Sequence, residues 1–394
     1  MEHSRLQISA STMVNAAGTG KIATLQALQS TKSGLRQCDY PGLDFDTWLG
    51  RVDDLESRPV EKILSEYDCR NNRLAKLALD TDDFRQVVEE AKNKYGSERI
   101  GVFLGTSTSG IAETEHAYCQ RELNGPLPDS YDLIHTHNVA SVVSYTRATL
   151  GVTGPGICLS TACSSSAKVF AVAQRHIDAG VCDAAIVGGV DSLCLTTLYG
   201  FNSLQLVSEN PCCPWDAARD GINIGEAAGF ALLEPLQDQV AIVLQGYGES
   251  SDAYHMSTPH PEGAGARLAM EKALECAGIG KQEVGYINLH GTATPSNDAA
   301  EDKAVTALFG KDIPCSSTKG WTGHTLGAAG ITEAMIAMLV IEHGFLPSTL
   351  NLHEQDKSLE LNVLRKNQQA TVNYAMSNSF GFGGTNCSLI LARS

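Results

Sequence analysis

Apolar runs of strand length alternate with helical patterns and small-residue turns along the whole of this 394-residue chain. That alternation constrains the fold more than any other feature, because interleaved strands and helices build a sheet covered by helices, the α/β class. The strand candidates are Leu6 to Val14, Ile100 to Leu104, Gly156 to Ser160, Ala184 to Gly188, Gly229 to Leu233, Ala241 to Tyr247, Val284 to Leu289 and Ser388 to Leu391. The helix candidates are Gly20 to Ser30, Asn71 to Leu79, Asp82 to Tyr95, Cys163 to Ala179, Ala264 to Ala277, Asn297 to Leu308 and Ala328 to Glu342. The order also repeats: RIGVFLGTSTSG is followed by GPGICLSTACSSSAKVF and CDAAIVGGVDS, much as VGYINLHGTATPSN is followed by DIPCSSTKGWTGHTLGAAGITE and AMSNSFGFGGTN. This suggests two similar halves, residues 1–235 and 236–394; chance likeness between α/β units is the competing reading.

Charge and cysteine usage narrow the function classes. Lys plus Arg number 29 against 45 Asp plus Glu, a net charge of −16, which disfavours nucleic acid and anionic membranes as general partners. The opening MEHSRLQISAS lacks the pattern of a signal peptide, and the clearest apolar helical run, Ala334 to Ile341, is too short to span a bilayer. Twelve cysteines without a C-x-x-C pair fit free thiols in a reducing compartment rather than disulfides or a zinc site. The expectation is a soluble, cytoplasmic protein without metal.

Three turns hold residues fit for nucleophilic chemistry. In CLSTACSSSAKVF a strand gives way to Cys163 and then to a helix. Helix N–H groups and dipole there favour a thiolate by about 0.3 to 1 kcal/mol, less than about one pKa unit. Ser164, Ser165 and Ser166 leave room for a substrate; a core cysteine at a strand–helix turn is the alternative. His290 ends YINLH and His324 precedes a small-residue helix start. Ligands gather at the carboxyl ends of strands in α/β sheets, so the three side chains can converge; a histidine in such a turn can also be a satisfied structural hydrogen-bonder. Glu333, in an otherwise apolar helix, needs a cationic partner, and Lys319 is the nearest in sequence. NSFGFGGTN is a glycine-rich turn after a strand that can cradle a phosphate or offer an N–H to an oxyanion; the dinucleotide and P-loop spacings are absent.

Together, TACSSS, HGTATPSND, KGWTGHTLGAAGITE, NSFGFGGTN and PWDAARDGINIGEAAGFALLEP resemble the segments of the β-ketoacyl-acyl-carrier-protein synthases, the elongating condensing enzymes of fatty-acid and polyketide pathways. The resemblance implies a thiolase-like fold of two duplicated halves forming a five-layered αβαβα body, paired as a homodimer or with a related subunit. It implies Cys163 as the acyl-accepting nucleophile, and His290 and His324 as hydrogen-bond donors to a malonyl thioester carbonyl. Lys319 and Glu333 would fix His324, and Asp298 would hold the turn after His290. Phe382 would supply an oxyanion N–H and gate the site, and Thr292 and Thr294 would bind the phosphopantetheine arm of an acyl carrier protein. Thr108 and Phe201 would line the acyl pocket. No cofactor is implied beyond the carrier's phosphopantetheine. The carrier is acidic in this family, and Arg70, Arg73 and Lys76, at i, i+3 and i+6, offer a docking cluster; a solvated charged face is the alternative.

Asn297 stands where many relatives have glycine, and Trp321 where a smaller residue is common, which can alter turn shape or pocket width. Specialised polyene pathways also use such enzymes. The rival readings are a non-catalytic chain-length subunit, against which Cys163 argues, a coenzyme A-dependent thiolase, against which the two-histidine set argues, and a cysteine hydrolase, whose signature is absent.

Overall fold

A computed structural model of the chain describes residues 4–237 and 242–394. The first half supplies β1 (Leu6–Asn15), β2 (Ile100–Gly105), β3 (Gly156–Leu159), β4 (Ala184–Asp191) and β5 (Ala227–Pro235); the second supplies β6 (Ile242–Ser251), β7 (Tyr286–Asn288), β8 (Cys315–Ser316), β9 (Tyr374–Gly381) and β10 (Thr385–Arg393). The first half is ordered β3-β2-β4-β5-β1, with β2 parallel to β3 and β4, and β5 antiparallel to β4 and β1. The second half is ordered β8-β7-β9-β10-β6 with the same senses, strand for strand. A repeated order and repeated strand senses make the likeness of the halves a property of the fold. The two sets join where β1 meets β6, at Leu6 with Leu244 and Gln7 with Val243. Ala241, expected to begin β6, lies outside the described residues.

The helices are α1 (Lys21–Gln29), α2 (Arg70–Leu79), α3 (Phe84–Tyr95), α4 (Ile111–Gln120), α5 (Ser141–Leu150), α6 (Ser165–Asp178), α7 (Leu195–Ser203), α8 (Ala264–Ala277), α9 (Pro295–Phe309), α10 (Lys319–Thr322) and α11 (Ala329–His343). The two faces of each sheet are covered differently. Val102, Leu104 and Phe230 pack outward against Leu74, Phe84, Val88 and Val142 of α2, α3 and α5. Phe103, Val187 and Ala231 face the opposite way, toward α6 and α11, as do Ala375, Leu389 and Leu391 of the second sheet. Met270 and Ala273 of α8 and Val305 of α9 close the far side over Ile287 and Ile390. The layers therefore read α-β-α-β-α. Buried strands covered on both faces need no polar alternation, which is why they appear as continuous apolar runs.

The central helix α11 is apolar for the same reason. Residues Ala329 through Ile341 of α11 are buried on every side. The apolar stretch is longer than Ala334–Ile341: Leu326–His343 has the length and hydropathy to cross a membrane, yet 89% of it is buried inside this fold, so it reads as a core helix. Gly330 allows α11 to touch α6, since a Cβ there would stand 2.5 Å from the Ala167 nitrogen. The contact is secured by Ile331 N donating to Ser166 Oγ at 2.9 Å.

Candidate active site

Each reactive side chain stands on a turn that closely packed elements hold. Cys163 lies between β3 and α6, two residues before the helix, behind Ala162 in the left-handed region (φ 52°). The expected open space at Ser164, Ser165 and Ser166 is not there: all three are buried. Their hydroxyls stitch the structure, Ser164 Oγ donating to Thr161 O at 2.9 Å, Ser165 Oγ to Ala162 O at 2.6 Å, and Ser166 Oγ accepting from α11. The cysteine is held rigidly by these bonds.

His324 Nε2 stands 3.0 Å from Cys163 Sγ, and its backbone is pinned by Asn223 O at 2.7 Å and Gly225 N at 3.0 Å. His290 meets the His324 ring edge to face, with centroids 5.3 Å apart. Burial and the nearby Lys319 charge hold both imidazoles well below the ordinary histidine range, so they are neutral. Burial also pushes the Cys163 thiol up from 9.0 to about 11, against the pull of Lys319 and the Phe382 N–H that donates to the sulfur. This corrects the expected thiolate: a rise of that size costs about 3 kcal/mol at 1.36 per pKa unit, and the helix end returns at most about 1. The resting pair is a thiol beside a neutral imidazole.

Lys319 and Glu333 act on a different histidine from the one expected. The Lys319 ammonium, 2% exposed, donates to Glu333 and to the His290 carbonyl, and stands 3.4 Å from His290 Nδ1. An ammonium has only donors. His290 Nδ1 must therefore accept, and the ring proton sits on Nε2. Burial raises Glu333 to about 7 despite the lysine beside it.

The turn after His290 is clamped from α9. Asp298 accepts from Ala293 N at 3.2 Å, supporting its left-handed conformation (φ 66°), and from Trp215 N at 3.1 Å; burial pushes it up to about 6. Glu301, which sequence reasoning missed, accepts from both His290 N and Gly291 N at 2.8 Å. A carboxylate one helical turn beyond Asp298 was the available signal. Cys163, His290 and His324 open into a narrow, solvent-connected cavity of about 50 Å³, which Thr292, Thr294, Asn297, Phe201 and Phe382 also line. Thr292 and Thr294 join hydroxyls at 2.9 Å, and the Phe201 and Phe382 rings stand 5.5 Å apart.

The Beta-ketoacyl synthase N-terminal domain family matches residues 82–239 and its C-terminal domain family residues 241–353. The chain belongs to the β-ketoacyl synthase family. It is 31% identical to a 3-oxoacyl-[acyl-carrier-protein] synthase 2 of Vibrio harveyi, over 100% of this chain and 99% of that one. Among solved structures it resembles the ketosynthase ApeO in complex with its chain length factor ApeC from Xenorhabdus doucetiae (40% identity, TM-score 0.90, 99% of this chain and 98% of that chain). It also resembles a β-ketoacyl synthase from Burkholderia phymatum (26%, TM-score 0.87, 99% and 100%).

Within this synthase, several expected roles do not hold. Thr108 is not on the cavity wall; its hydroxyl donates to the buried Asp191 at 3.0 Å and accepts from Ser192 N. Trp321 is buried in the central core and sets no pocket width. Arg70 is no docking residue: it is buried, and its guanidinium binds Glu226 on two nitrogens, at 2.9 and 2.5 Å, as well as Glu56. Arg73 grips Asp68 through two bonds and Lys76 pairs with Asp80 at 3.5 Å. Arg70 is thereby withdrawn from the cluster, while Arg73 and Lys76 stay about a quarter exposed, 23% and 26% at the side chain, each paired with a carboxylate of its own chain.

Proposed function

We propose that the chain catalyses decarboxylative condensation of an acyl group carried on Cys163 with a malonyl thioester delivered by an acyl carrier protein. The single observation that carries this reading is Cys163 Sγ at 3.0 Å from the neutral His324 Nε2, in one cavity with a second neutral histidine whose Nδ1 is occupied by an ammonium. In the first half-reaction His324 Nε2 takes the thiol proton as sulfur attacks the carrier thioester; acyl passes to sulfur and the carrier leaves as its thiol. Deprotonation at the moment of attack suits a thiol that burial keeps protonated. The Cys163 and Phe382 N–H groups receive the developing oxyanion, each such donor being worth about 2.7 to 4 kcal/mol.

In the second half-reaction the malonyl carboxylate departs as carbon dioxide and leaves an enolate. His290 Nε2–H, with its proton fixed on that nitrogen by Lys319, donates to the enolate oxygen, and His324 donates beside it once its single ring proton has moved from Nδ1 to Nε2. The enolate carbon attacks the acyl carbonyl, the carbon–sulfur bond breaks, and the Cys163 thiolate takes up one proton from solvent, the proton the condensation consumes. Loss of carbon dioxide supplies the driving force, and the balance calls for no cofactor. Thr292 and Thr294 would hold the pantetheine arm, and Phe382, with Phe201 behind it, would separate the two half-reactions. Pairing with a related chain-length subunit is favoured over a homodimer by the 40% identity to a ketosynthase in complex with its chain length factor. A cytoplasmic setting fits a chain whose twelve cysteines are all free.

The test is intact-mass analysis of the protein, alone and co-expressed with such a subunit, against acyl-carrier proteins of several chain lengths plus malonyl-carrier protein. Acylation lost in Cys163→Ala, with a β-ketoacyl product two carbons longer, is expected. Absence of any adduct on Cys163 under every chain and partner would overturn the reading.

A further inference from the structure

The duplicated fold carries a second copy of the nucleophile turn. Ala162 precedes α6 by three residues and Leu326 precedes α11 by three, and both hold φ at 52°. Gly327 is therefore the counterpart of Cys163. Asp191 ends the eight-residue β4 as Gly381, the residue before Phe382, ends the eight-residue β9. The Gly327 N–H donates to Asp191 Oδ2 at 2.5 Å and to Ser107 Oγ at 2.8 Å. A Cβ on Gly327 would meet the Ser107 nitrogen at 2.7 Å and Asp191 Oδ2 at 2.8 Å, so no nucleophile can stand there.

Asp191 is fully buried. Besides Gly327 N it accepts from Thr106 Oγ1 at 2.6 Å, Ser107 N at 2.8 Å, Ser107 Oγ at 2.5 Å, and both Thr108 N and Thr108 Oγ1 at 3.0 Å. A carboxylate with this many donors is not a spare charge. At the second-half turn it occupies the place that corresponds to the reacting carbonyl before the Cys163 N–H of the first-half turn.

We propose that Asp191 is a positioning residue for His324: a built-in anion that locks the Leu326–Gly327 turn and so fixes the imidazole three residues earlier against Cys163. Leucine in the left-handed region is strained, and the Gly327–Asp191 and Gly327–Ser107 bonds hold the strain in place. Released, the turn relaxes and the 3.0 Å Sγ–Nε2 contact opens. His324's part in the reaction rests on the proposed function, but its placement does not.

The test uses the full chain with ¹⁵N-labelled histidine, the His324 ring signals being assigned by their loss in His324→Gln. Asp191→Asn, which faces donors with an amide N–H, and Ser107→Ala, which leaves the charge intact, are compared with the parent protein. Both are expected to move the His324 ring nitrogen signals in the same direction, and by more than those of His290, which feels the change only through its ring contact with His324. Where condensation is measurable, kcat falls on the order of 10²-fold, the cost of a displacement near 1 Å, with KM for the malonyl carrier unchanged. His324 signals unmoved in Ser107→Ala overturn the proposal, whether Asp191→Asn moves them or fails to fold. Moved signals without condensing activity would uphold the positioning and count against the proposed reaction alone.

Discussion

Replacing Lys319 by methionine separates the two things the ammonium does. Lys319 and Glu333 form a buried pair, 2% and 4% exposed at the side chain. Removing one partner of such a pair costs about 3–5 kcal/mol, because the other is left buried and unpaired. That is a large share of the roughly 5–15 kcal/mol that holds a domain folded. The loss has a pH signature. Glu333 already titrates near 7 in the folded protein against about 4.3 unfolded, so the folded state prefers its proton; the stability this brings is complete below the unfolded value and drains as pH rises through the folded one. Without the lysine the folded value climbs further, and Lys319→Met should be more destabilised at pH 8 than at pH 6. Adding Glu333→Leu removes the stranded acid and should return the urea midpoint nearly to that of the parent protein. Activity should not return, because His290 Nδ1 has lost the donor that keeps the ring proton on Nε2, and loss of one such hydrogen bond to an oxyanion costs on the order of 10²–10³ in kcat. A double variant that recovers both stability and kcat would refute the tautomer argument.

Two further outcomes follow from buried charge. Arg70→Met leaves Glu226 unpaired in the core and should cost about 3–5 kcal/mol in urea unfolding with no selective change in KM for the carrier protein; a raised carrier KM in a fully stable variant would restore Arg70 as a docking residue. The depressed pKa values of His290 and His324 mean that the unfolded chain binds more protons below about pH 6.5. Stability from this pair is complete above that pH and is lost on acidification by up to about 2.7 kcal/mol per pH unit, twice 1.36. Between pH 7 and 5.5 the parent protein should lose stability relative to a His290→Gln/His324→Gln variant, and parallel pH profiles would contradict it. The comparison is needed because Glu301, also near 7, gains stability over the same fall in pH.

The reactive residues were legible because their signals are local. Cys163 and His290 each follow a strand-length apolar run, all three residues stand beside small residues in turns, and α/β topology brings such turns together. The clearest misreadings involve partners remote in the chain. Arg70 looks like one corner of a basic helix face until Glu226, 156 positions away, is seen beside it. Thr108 lies 83 positions from the carboxylate that takes its hydroxyl. The thiol was misjudged because a helix end can be read from a sequence, whereas burial depends on His324 and Phe382 arriving from the far end of the chain. Helices α5 and α7 were unseen because Ser, Thr and β-branched residues dilute their pattern, and packing overrides such weak propensity.

Duplication explains why one turn reacts and its copy does not. Both copies set a non-glycine residue at φ 52° before a central helix and point a backbone N–H outward. In the first-half environment the N–H meets the Asp191 carboxylate, the neighbouring serine and threonines supply the remaining donors, and a glycine is required because a Cβ has no room. In the second-half environment β9 ends in glycine rather than a carboxylate, and the chain turns there so that Phe382 N–H aims at Cys163 sulfur. The permanent anion in one turn stands where the other must receive a transient one. A rigid, satisfied copy buttresses the end of α11 while its twin stays open for substrate, and strain held at Leu326 becomes accuracy at His324.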